Sequence, residues 1–240
     1  MRRRFFVERF TEWGATVEGE TAHHLGRVLR AQEGQLYELS DGQRVRLGRI
    51  EKVSRDRVEF SLLEEIPAHQ PALDVTLFLS IVKFEAFEWA IEKATELGVS
   101  TIAPLAAARS EKALLVAAAK RAERWTKILA EASQQSRRVR APALRELEQP
   151  AHAFRAHATA PVKIMLSERP DAPALRQILQ AAPASKQAVL AIGPEGGWTE
   201  AEFTAANASS FREASLGKLI LRTETAVAAA LASINYALAE

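Results

Sequence analysis

Apolar and polar residues follow two different patterns along the 240-residue chain. Up to about residue 66, short segments alternate between apolar and polar positions, which is the pattern of half-buried β-strands. From residue 74 onward, nearly continuous apolar segments alternate with segments of helical periodicity, which is typical of parallel strands covered by helices. The change of pattern predicts a small β-rich domain followed by an α/β domain.

The first pattern predicts a small β-barrel or sandwich. Its strands are expected at Gln35–Ser40, Arg44–Ile50 and Arg57–Leu63. Asp41-Gly42 lies between the first two strands and is a strong signal for a hairpin, because glycine and aspartate tolerate the backbone of a tight turn. A single helix is predicted at Ala22–Leu29.

The two patterns meet in a segment without apolar periodicity. Residues 64–73 contain two prolines and are predicted to be a linker. We therefore expect one domain at residues 1–68 and a second at residues 73–240.

The second pattern predicts a mostly parallel sheet. Buried strands are expected at Asp74–Val82, Val99–Leu105, Val162–Leu166, Ala188–Ile192 and Phe211–Leu216. Helices are expected at Glu85–Leu97, Glu111–Gln135, Ala172–Ala182, Ala201–Ala208 and Thr225–Ala239. Thr199 and Glu202 have the spacing of a capping box, which predicts a helix start directly after Trp198.

Three loops follow strands in the second half and are expected at one edge of the sheet, where α/β proteins bind ligands. They begin at Leu166, Gly193 and Leu216. The Gly193–Gly197 segment, Gly-Pro-Glu-Gly-Gly, is neither a dinucleotide fingerprint nor a phosphate-binding P-loop. Its bare main chain suits an adenine ring better than a triphosphate, although an ordinary strand-to-helix turn explains the same residues.

Two charged side chains in these loops are candidates for a role in catalysis. Arg222 precedes a predicted helix and would provide positive potential where an oxyanion develops. Glu195 could accept a proton or bind an N–H group. The alternative is that Arg222 forms an ion pair with a glutamate.

Positive charge is concentrated in one segment, although the formal net charge is only +2. Between Lys120 and Glu146 there are eight Lys or Arg and three Glu. Such a stripe can follow a phosphate backbone, and a solvated helix face explains it equally well. Trp125 lies on an apolar face that indicates a position in the core or in a subunit interface. The better candidates for phosphate contact are therefore Arg137, Arg138 and Arg140.

The composition excludes several classes of site. The absence of cysteine excludes disulfides, cysteine-ligated zinc and thiol nucleophiles, and the five histidines lack metal-ligand spacing. No apolar run is long enough for a membrane span, and the N-terminus does not have the pattern of a signal peptide. We therefore expect a cytoplasmic protein without a metal.

Five segments in order along the chain resemble the RsmE family of ribosomal RNA small-subunit methyltransferases, which methylate N3 of a uridine. The segments are 24–30, His-Leu-Gly-Arg-Val-Leu-Arg; 88–99, from Glu-Trp-Ala-Ile-Glu-Lys to Gly-Val; 124–136, from Arg-Trp to Gln-Ser; 192–197, Ile-Gly-Pro-Glu-Gly-Gly; and 216–226, from Leu-Gly to Thr-Ala. Each alone is weak, whereas five in family order are specific.

The resemblance implies a fold, a cofactor and a partner. The N-terminal domain should be a PUA-like β-barrel that docks RNA, and the C-terminal domain a SPOUT-type α/β fold with a deep trefoil knot. The partner should be 16S ribosomal RNA in the small ribosomal subunit, and the chain should form a homodimer. The cofactor should be S-adenosylmethionine, held by Leu166, Ile192, Gly193, Pro194, Glu195, Gly196, Gly197, Ser215, Leu216, Gly217, Leu221 and Arg222. RNA binding is assigned to Arg9, His24, Arg27, Arg30, Arg137 and Arg138.

The chemistry of uridine gives the two catalytic candidates their roles. N3 of uridine is protonated at neutral pH, so the enzyme must help to remove this proton and stabilise the charge that spreads onto the uracil oxygens. We predict that Arg222 stabilises this charge and that Glu195 is the candidate general base. A SPOUT methyltransferase with another RNA target and a non-catalytic RNA-binding assembly factor remain as alternatives.

Overall fold

The structure is a computed structural model that describes residues 3–68 and 70–239. Met1, Arg2, His69 and Glu240, which the predicted domain ranges and linker include, lie outside the described residues. The chain divides into two compact units. The first contains the residues up to Gln70 together with Ser133–Ala141, and the second contains Pro71–Ala132 and Pro142–Glu240.

The first unit is built on a five-stranded sheet in the order β1-β3-β4-β5-β2. Its strands are β1 (Arg4–Phe6), β2 (Ala15–Glu18), β3 (Leu36–Ser40), β4 (Val45–Val53) and β5 (Arg57–Ile66). Strand β1 pairs with β3 in parallel, and the other pairs are antiparallel. The sequence predicted the three long strands and missed β1 and β2, which are only three and four residues long.

The predicted hairpin between β3 and β4 is confirmed. The Asp41 amide donates to the Arg44 carbonyl oxygen, and the amides of Gln43 and Arg44 both donate to the Asp41 carboxylate. Gly42 has φ of +86°, in the region that glycine adopts without strain. The turn residues therefore close the hairpin through the chemistry that the sequence indicated.

The predicted helix at Ala22–Leu29 starts earlier and has two parts. Helix α1 (Gly19–His23) continues into a π-helical turn over His24–Val28. Ala22 and Leu25 are fully buried in the core of the first unit. The π turn could not be predicted from helical periodicity. A single π turn has wider hydrogen-bond spacing than an α-helix, but it changes the positions of few residues.

Segment Ser133–Ala141 belongs to the first unit through buried polar contacts. Arg4 forms an ion pair with Glu38 at 2.8 Å, and its guanidinium also donates to the Arg137 carbonyl oxygen. Ser40 Oγ donates to the Val139 carbonyl oxygen at 2.5 Å. Arg4 and Glu38 are both buried, so each must keep its partner to avoid the cost of an unpaired buried charge.

Gly14 lies so close to β5 that a side chain would not fit. A Cβ atom on Gly14 would stand 2.1 Å from the Phe60 carbonyl oxygen, which is backbone and cannot turn away. We expect Gly14→Ala to destabilise the first unit by about 1–3 kcal/mol, as other overpacked sites do. Thermal unfolding of Gly26→Ala is the matched control, because a Cβ there would meet Val53 at an ordinary 3.5 Å. Equal melting temperatures for the two variants would contradict the expected clash.

The second unit contains a parallel six-stranded sheet in the order β11-β9-β10-β6-β7-β8. Its strands are β6 (Asp74–Ser80), β7 (Thr101–Leu105), β8 (Ala143–Leu144), β9 (Val162–Leu166), β10 (Gln187–Ile192) and β11 (Arg212–Ala214). All five predicted strands are present, with β11 shorter than expected. The missed strand, β8, has only two residues.

Helices cover both faces of this sheet. They are α2 (Phe84–Glu96), α3 (Lys112–Ala118), α4 (Ala122–Gln135, whose last turn counts with the first unit), α5 (Pro150–Ala156), α6 (Leu175–Gln180), α7 (Glu200–Ala208) and α8 (Thr223–Leu238). The single helical region predicted at Glu111–Gln135 is wrong in detail, because a 3₁₀ turn at Ala119–Arg121 separates α3 from α4. The sequence also missed α5.

Successive residues of β6 enter different clusters, as the alternation of a strand requires. Leu77 and Leu79 pack with residues of α2 and α8, whereas Phe78 packs with residues of α5 and α7. Trp125 is buried against Phe87, with ring centroids 4.5 Å apart, which confirms the prediction that its face belongs to the core.

Candidate active site at the carboxyl edge of the second sheet

Three neighbouring parallel strands end side by side. Strand β9 ends at Leu166, which is in register with Ala214 at the end of β11. On its other side β9 pairs with β10, which ends at Ile192. The loops after all three strands therefore leave the same edge of the sheet, as the sequence predicted.

The loop after β10, residues 193–198, is a tight turn. The Gly197 amide donates to the Pro194 carbonyl oxygen at 2.8 Å, and Gly197 has φ of +68°. A Cβ atom on Gly193 would stand 3.1 Å from the Trp198 indole, so this position also favours glycine. Pro194 is buried, whereas Glu195 and Gly196 are exposed. The turn thus presents bare main chain and one carboxylate to the outside.

Trp198 joins this loop to the end of β9. Its indole Nε1 donates to the Leu166 carbonyl oxygen at 3.0 Å, and its ring lies 6.0 Å from that of Phe154. The predicted capping box is confirmed directly after it, because Thr199 and Glu202 bind each other's backbone amides. Trp198 and the start of α7 therefore fix where the turn ends.

The loop after β11 is held by the segment that follows β9. The Ser215 amide donates to the Pro173 carbonyl oxygen at 2.7 Å, and the Leu175 amide donates to the Ser215 carbonyl oxygen at 2.8 Å. Farther along, Thr223 Oγ1 donates to the Gly193 carbonyl oxygen at 3.5 Å. The structure thus connects the three loops through hydrogen bonds.

The two catalytic candidates lie on this edge with exposed side chains. Arg222 is the residue before the first turn of α8, and Glu195 is at the tip of the loop after β10. Among residues 3–68 and 70–239, the alternative ion pair between Arg222 and a glutamate is not seen.

The loop after β7 contacts the site, although the sequence did not predict it among the site's loops. Arg109 Nη1 donates to the Gly196 carbonyl oxygen at 2.8 Å, and the Ala108 amide donates to Glu202 Oε1 at 2.8 Å. The available signal was an arginine shortly after a buried strand of the same parallel sheet. Periodicity alone cannot indicate which neighbouring loop such an arginine contacts.

The six predicted RNA-binding residues all lie in the first unit. Arg9, His24, Arg27 and Arg30 are exposed, and three of these belong to the π turn or the residues after it. Arg137 is half-buried near Glu38, with 3.8 Å between the charged groups. Arg138 is only 9% exposed, and burial together with Arg140 lowers its pKa to about 10.

Neither a metal-binding cluster nor a membrane-spanning helix is found in residues 3–68 and 70–239. In residues 3–68 and 70–239, no three His, Cys, Asp or Glu side chains are grouped in a way that could hold a metal ion. No helix in the same part of the chain is long and apolar enough to span a bilayer.

Comparison with protein families assigns both parts of the chain. A family model described as an RNA methyltransferase domain matches residues 69–235, and one described as an RNA methyltransferase PUA domain matches residues 17–63. The ribosomal RNA small subunit methyltransferase E of Synechocystis is 34% identical over 95% of this chain and 75% of its own. The protein of the same name from Bacillus subtilis is 34% identical over 92% and 89%. The chain belongs to the ribosomal RNA small subunit methyltransferase E family.

Solved structures agree with this family membership. The small subunit methyltransferase E of Neisseria gonorrhoeae, bound to S-adenosylmethionine, is 30% identical, with a TM-score of 0.88 over 99% of this chain and 98% of that chain. A methyltransferase of Legionella pneumophila in complex with the same cofactor is 28% identical, with the same TM-score and coverage. The predicted fold class, a PUA-like domain followed by a SPOUT-type α/β domain, is confirmed. The trefoil knot stays a prediction.

Proposed function

We propose that this protein transfers a methyl group from S-adenosylmethionine to N3 of a uridine in 16S ribosomal RNA. The names of its relatives and the cofactor in the two solved structures support the proposal. The observation that carries it is the edge of the sheet at which three loops are connected by hydrogen bonds, two of them with exposed glycine backbone and one of them leading to Arg222. We further propose a cytoplasmic location and action on the small subunit.

The residues at this edge fit an adenosyl cofactor. The Gly193–Gly197 turn offers carbonyl and amide groups at glycines that place no side chain between the main chain and a flat ring. The loop after β11 adds Gly217, which has φ of +132° and open space where a Cβ would stand. The residues proposed to hold the cofactor are Leu166, Ile192, Gly193, Pro194, Glu195, Gly196, Gly197, Ser215, Leu216, Gly217, Leu221 and Arg222.

In the proposed reaction the cofactor supplies an electrophilic methyl group on a sulfonium sulfur. Glu195, exposed at the tip of its loop, is the proposed acceptor of the N3 proton. The Arg222 guanidinium donates to a uracil carbonyl oxygen and stabilises the negative charge left by that proton. The lone pair of N3 then attacks the methyl carbon as the bond from carbon to sulfur breaks.

We propose that the first unit binds the RNA through exposed cationic groups. His24, Arg27 and Arg30 lie on or next to one short helical segment and are exposed, so all three are available for phosphate contacts. Arg9 and Arg137 complete the proposed set. Arg138 has the weakest case, because its burial leaves little of the guanidinium for a partner.

We also propose that the protein is a homodimer with the trefoil knot of its superfamily. Large apolar side chains are exposed on the second unit, and a subunit interface would cover them. Leu219 is 83% exposed and Ile220 is 79% exposed, both in the loop that leads to Arg222, and Tyr236 on α8 is 93% exposed.

A calorimetric titration separates the enzyme from a non-catalytic RNA-binding factor. We expect the purified protein to bind S-adenosylmethionine with a dissociation constant in the micromolar range or below, because the glycine turn is already formed. S-adenosylhomocysteine is the control ligand and should bind as well, since it shares the adenosyl group. If neither ligand gives a heat of binding, the non-catalytic RNA-binding factor is favoured.

A further inference from the structure

We propose that Arg109 is a positioning residue that holds the Gly193–Trp198 loop in the conformation that binds the cofactor. The inference rests on the proposed function, and it concerns a residue outside the three loops of the site. Arg109 acts through the main chain of Gly196, which its guanidinium and its aliphatic stem both contact.

The loop that carries Arg109 is itself firmly anchored. The Ala106 amide donates to the Glu148 carbonyl oxygen at 2.9 Å, and Ser110 Oγ donates to the Ile81 carbonyl oxygen at 2.7 Å. Ala107 and Ser110 are both buried. Arg109 therefore extends from a segment whose backbone is fixed on both sides.

One buried carboxylate connects this segment to the far end of the glycine loop. Glu202 is 8% exposed, and its Oε1 accepts from the Ala108 amide. Its Oε2 accepts from the amide and the hydroxyl of Thr199, at the start of α7. The backbone before Arg109 and the residue after Trp198 are thus held by the same side chain.

Arg109 then reaches the middle of the glycine loop. Its Nη1 donates to the Gly196 carbonyl oxygen at 2.8 Å. A Cβ atom on Gly196 would stand 3.1 Å from Arg109 Cβ and 3.4 Å from its Cδ, so the stem lies directly against the glycine. Two adjacent glycines have wide conformational freedom, and this contact limits it at Gly196.

Cofactor affinity depends on the fraction of molecules in which the Gly193–Trp198 loop has the binding conformation. If the loop spends part of its time in other conformations, the apparent dissociation constant rises by the inverse of the competent fraction. The side chain of Arg109 is exposed, so its removal leaves the hydrophobic core intact. Loss of the contact should therefore weaken cofactor binding without lowering the melting temperature.

The test compares Arg109→Ala, Arg109→Lys and the matched control Arg155→Ala, another exposed arginine of the second unit, on α5. For Arg109→Ala we expect the dissociation constant and KM for S-adenosylmethionine to rise about tenfold, with kcat at saturating cofactor and the melting temperature unchanged. Lysine can still donate one hydrogen bond to the carbonyl and should recover part of the affinity. Arg155→Ala should behave as the wild type.

Three results would overturn the assignment. A fall in kcat at unchanged cofactor affinity would mean that Arg109 acts on the RNA. A lower melting temperature that lysine does not restore would mean a structural role, and unchanged values throughout would mean no role. If the wild type itself does not bind S-adenosylmethionine, the proposed function is wrong and the role of Arg109 is wrong with it. The calorimetric titration of the wild-type protein separates this outcome from a failure of the Arg109 assignment alone.

Discussion

Replacement of Arg222 by alanine should lower kcat by about 100- to 1,000-fold, the usual effect of removing one donor that stabilises a developing oxyanion. The dissociation constant for S-adenosylmethionine should change little, because the guanidinium is proposed to contact the uracil oxygen and Arg222 is proposed to hold the cofactor through its main chain, which alanine retains. Methylation of the RNA substrate at saturating cofactor measures kcat, and calorimetry measures the dissociation constant for S-adenosylmethionine.

The fold should tolerate this substitution. The residue precedes α8 with an extended backbone, and its side chain does not cap the helix, so alanine removes no hydrogen bond of the helix start. Arg212→Ala is the matched control, since that exposed arginine lies at the beginning of β11, in register with Ile164 in the middle of β9 and outside the three loops of the site. Near-normal turnover of the Arg222 variant would refute its catalytic role.

Replacement of Trp198 by alanine should cause the largest loss of stability among these variants. The ring is buried against Phe154, and its Nε1 satisfies the carbonyl oxygen of buried Leu166. Truncation of a buried tryptophan typically costs about 3–5 kcal/mol, which corresponds to a melting temperature lower by about 6–20 °C in a unit of this size. Cofactor affinity should fall as well, because Trp198 holds two of the three loops together.

Two further variants separate packing from hydrogen bonding at this position. Trp198→Phe keeps most of the apolar contact and leaves the Leu166 oxygen without its donor, which should cost about 1–3 kcal/mol. Trp89→Ala is the control, because Trp89 is half-exposed on α2 and its removal leaves no comparable cavity. Equal stability of the Trp198→Ala and Trp89→Ala variants would contradict the role assigned to Trp198.

The sequence predicted the elements whose pattern is long enough to be periodic. The strands ending at Leu166 and Ile192 and the helix start at Thr199 are where their apolar runs and capping residues indicated. Strand β8 has two residues and gives no period to detect. The π turn at His24–Val28 depends on hydrogen-bond geometry and could not be predicted from the residues.

The site was predictable in part for the same physical reason. Parallel strands bring their loops to one edge, so the Gly193 and Leu216 loops could be placed together from the order of elements. The contact between Arg109 and Gly196 joins residues 87 positions apart, and only the three-dimensional order of β10, β6 and β7 brings their loops close. Likewise, the sequence could not indicate that Arg138 is buried, because that depends on Ser133–Ala141 packing with the first unit.

The most direct measurement maps methylated uridines in 16S ribosomal RNA from cells with and without the gene. A methyl group on N3 blocks the pairing edge of uracil, so reverse transcription stops there, and mass spectrometry of the fragment gives the added mass. We expect one such uridine in the normal strain, its loss on deletion, and its return with the wild-type gene but not with the Arg222→Ala variant. Identical 16S patterns in the two strains, or a lost methyl group in a different RNA, would contradict it.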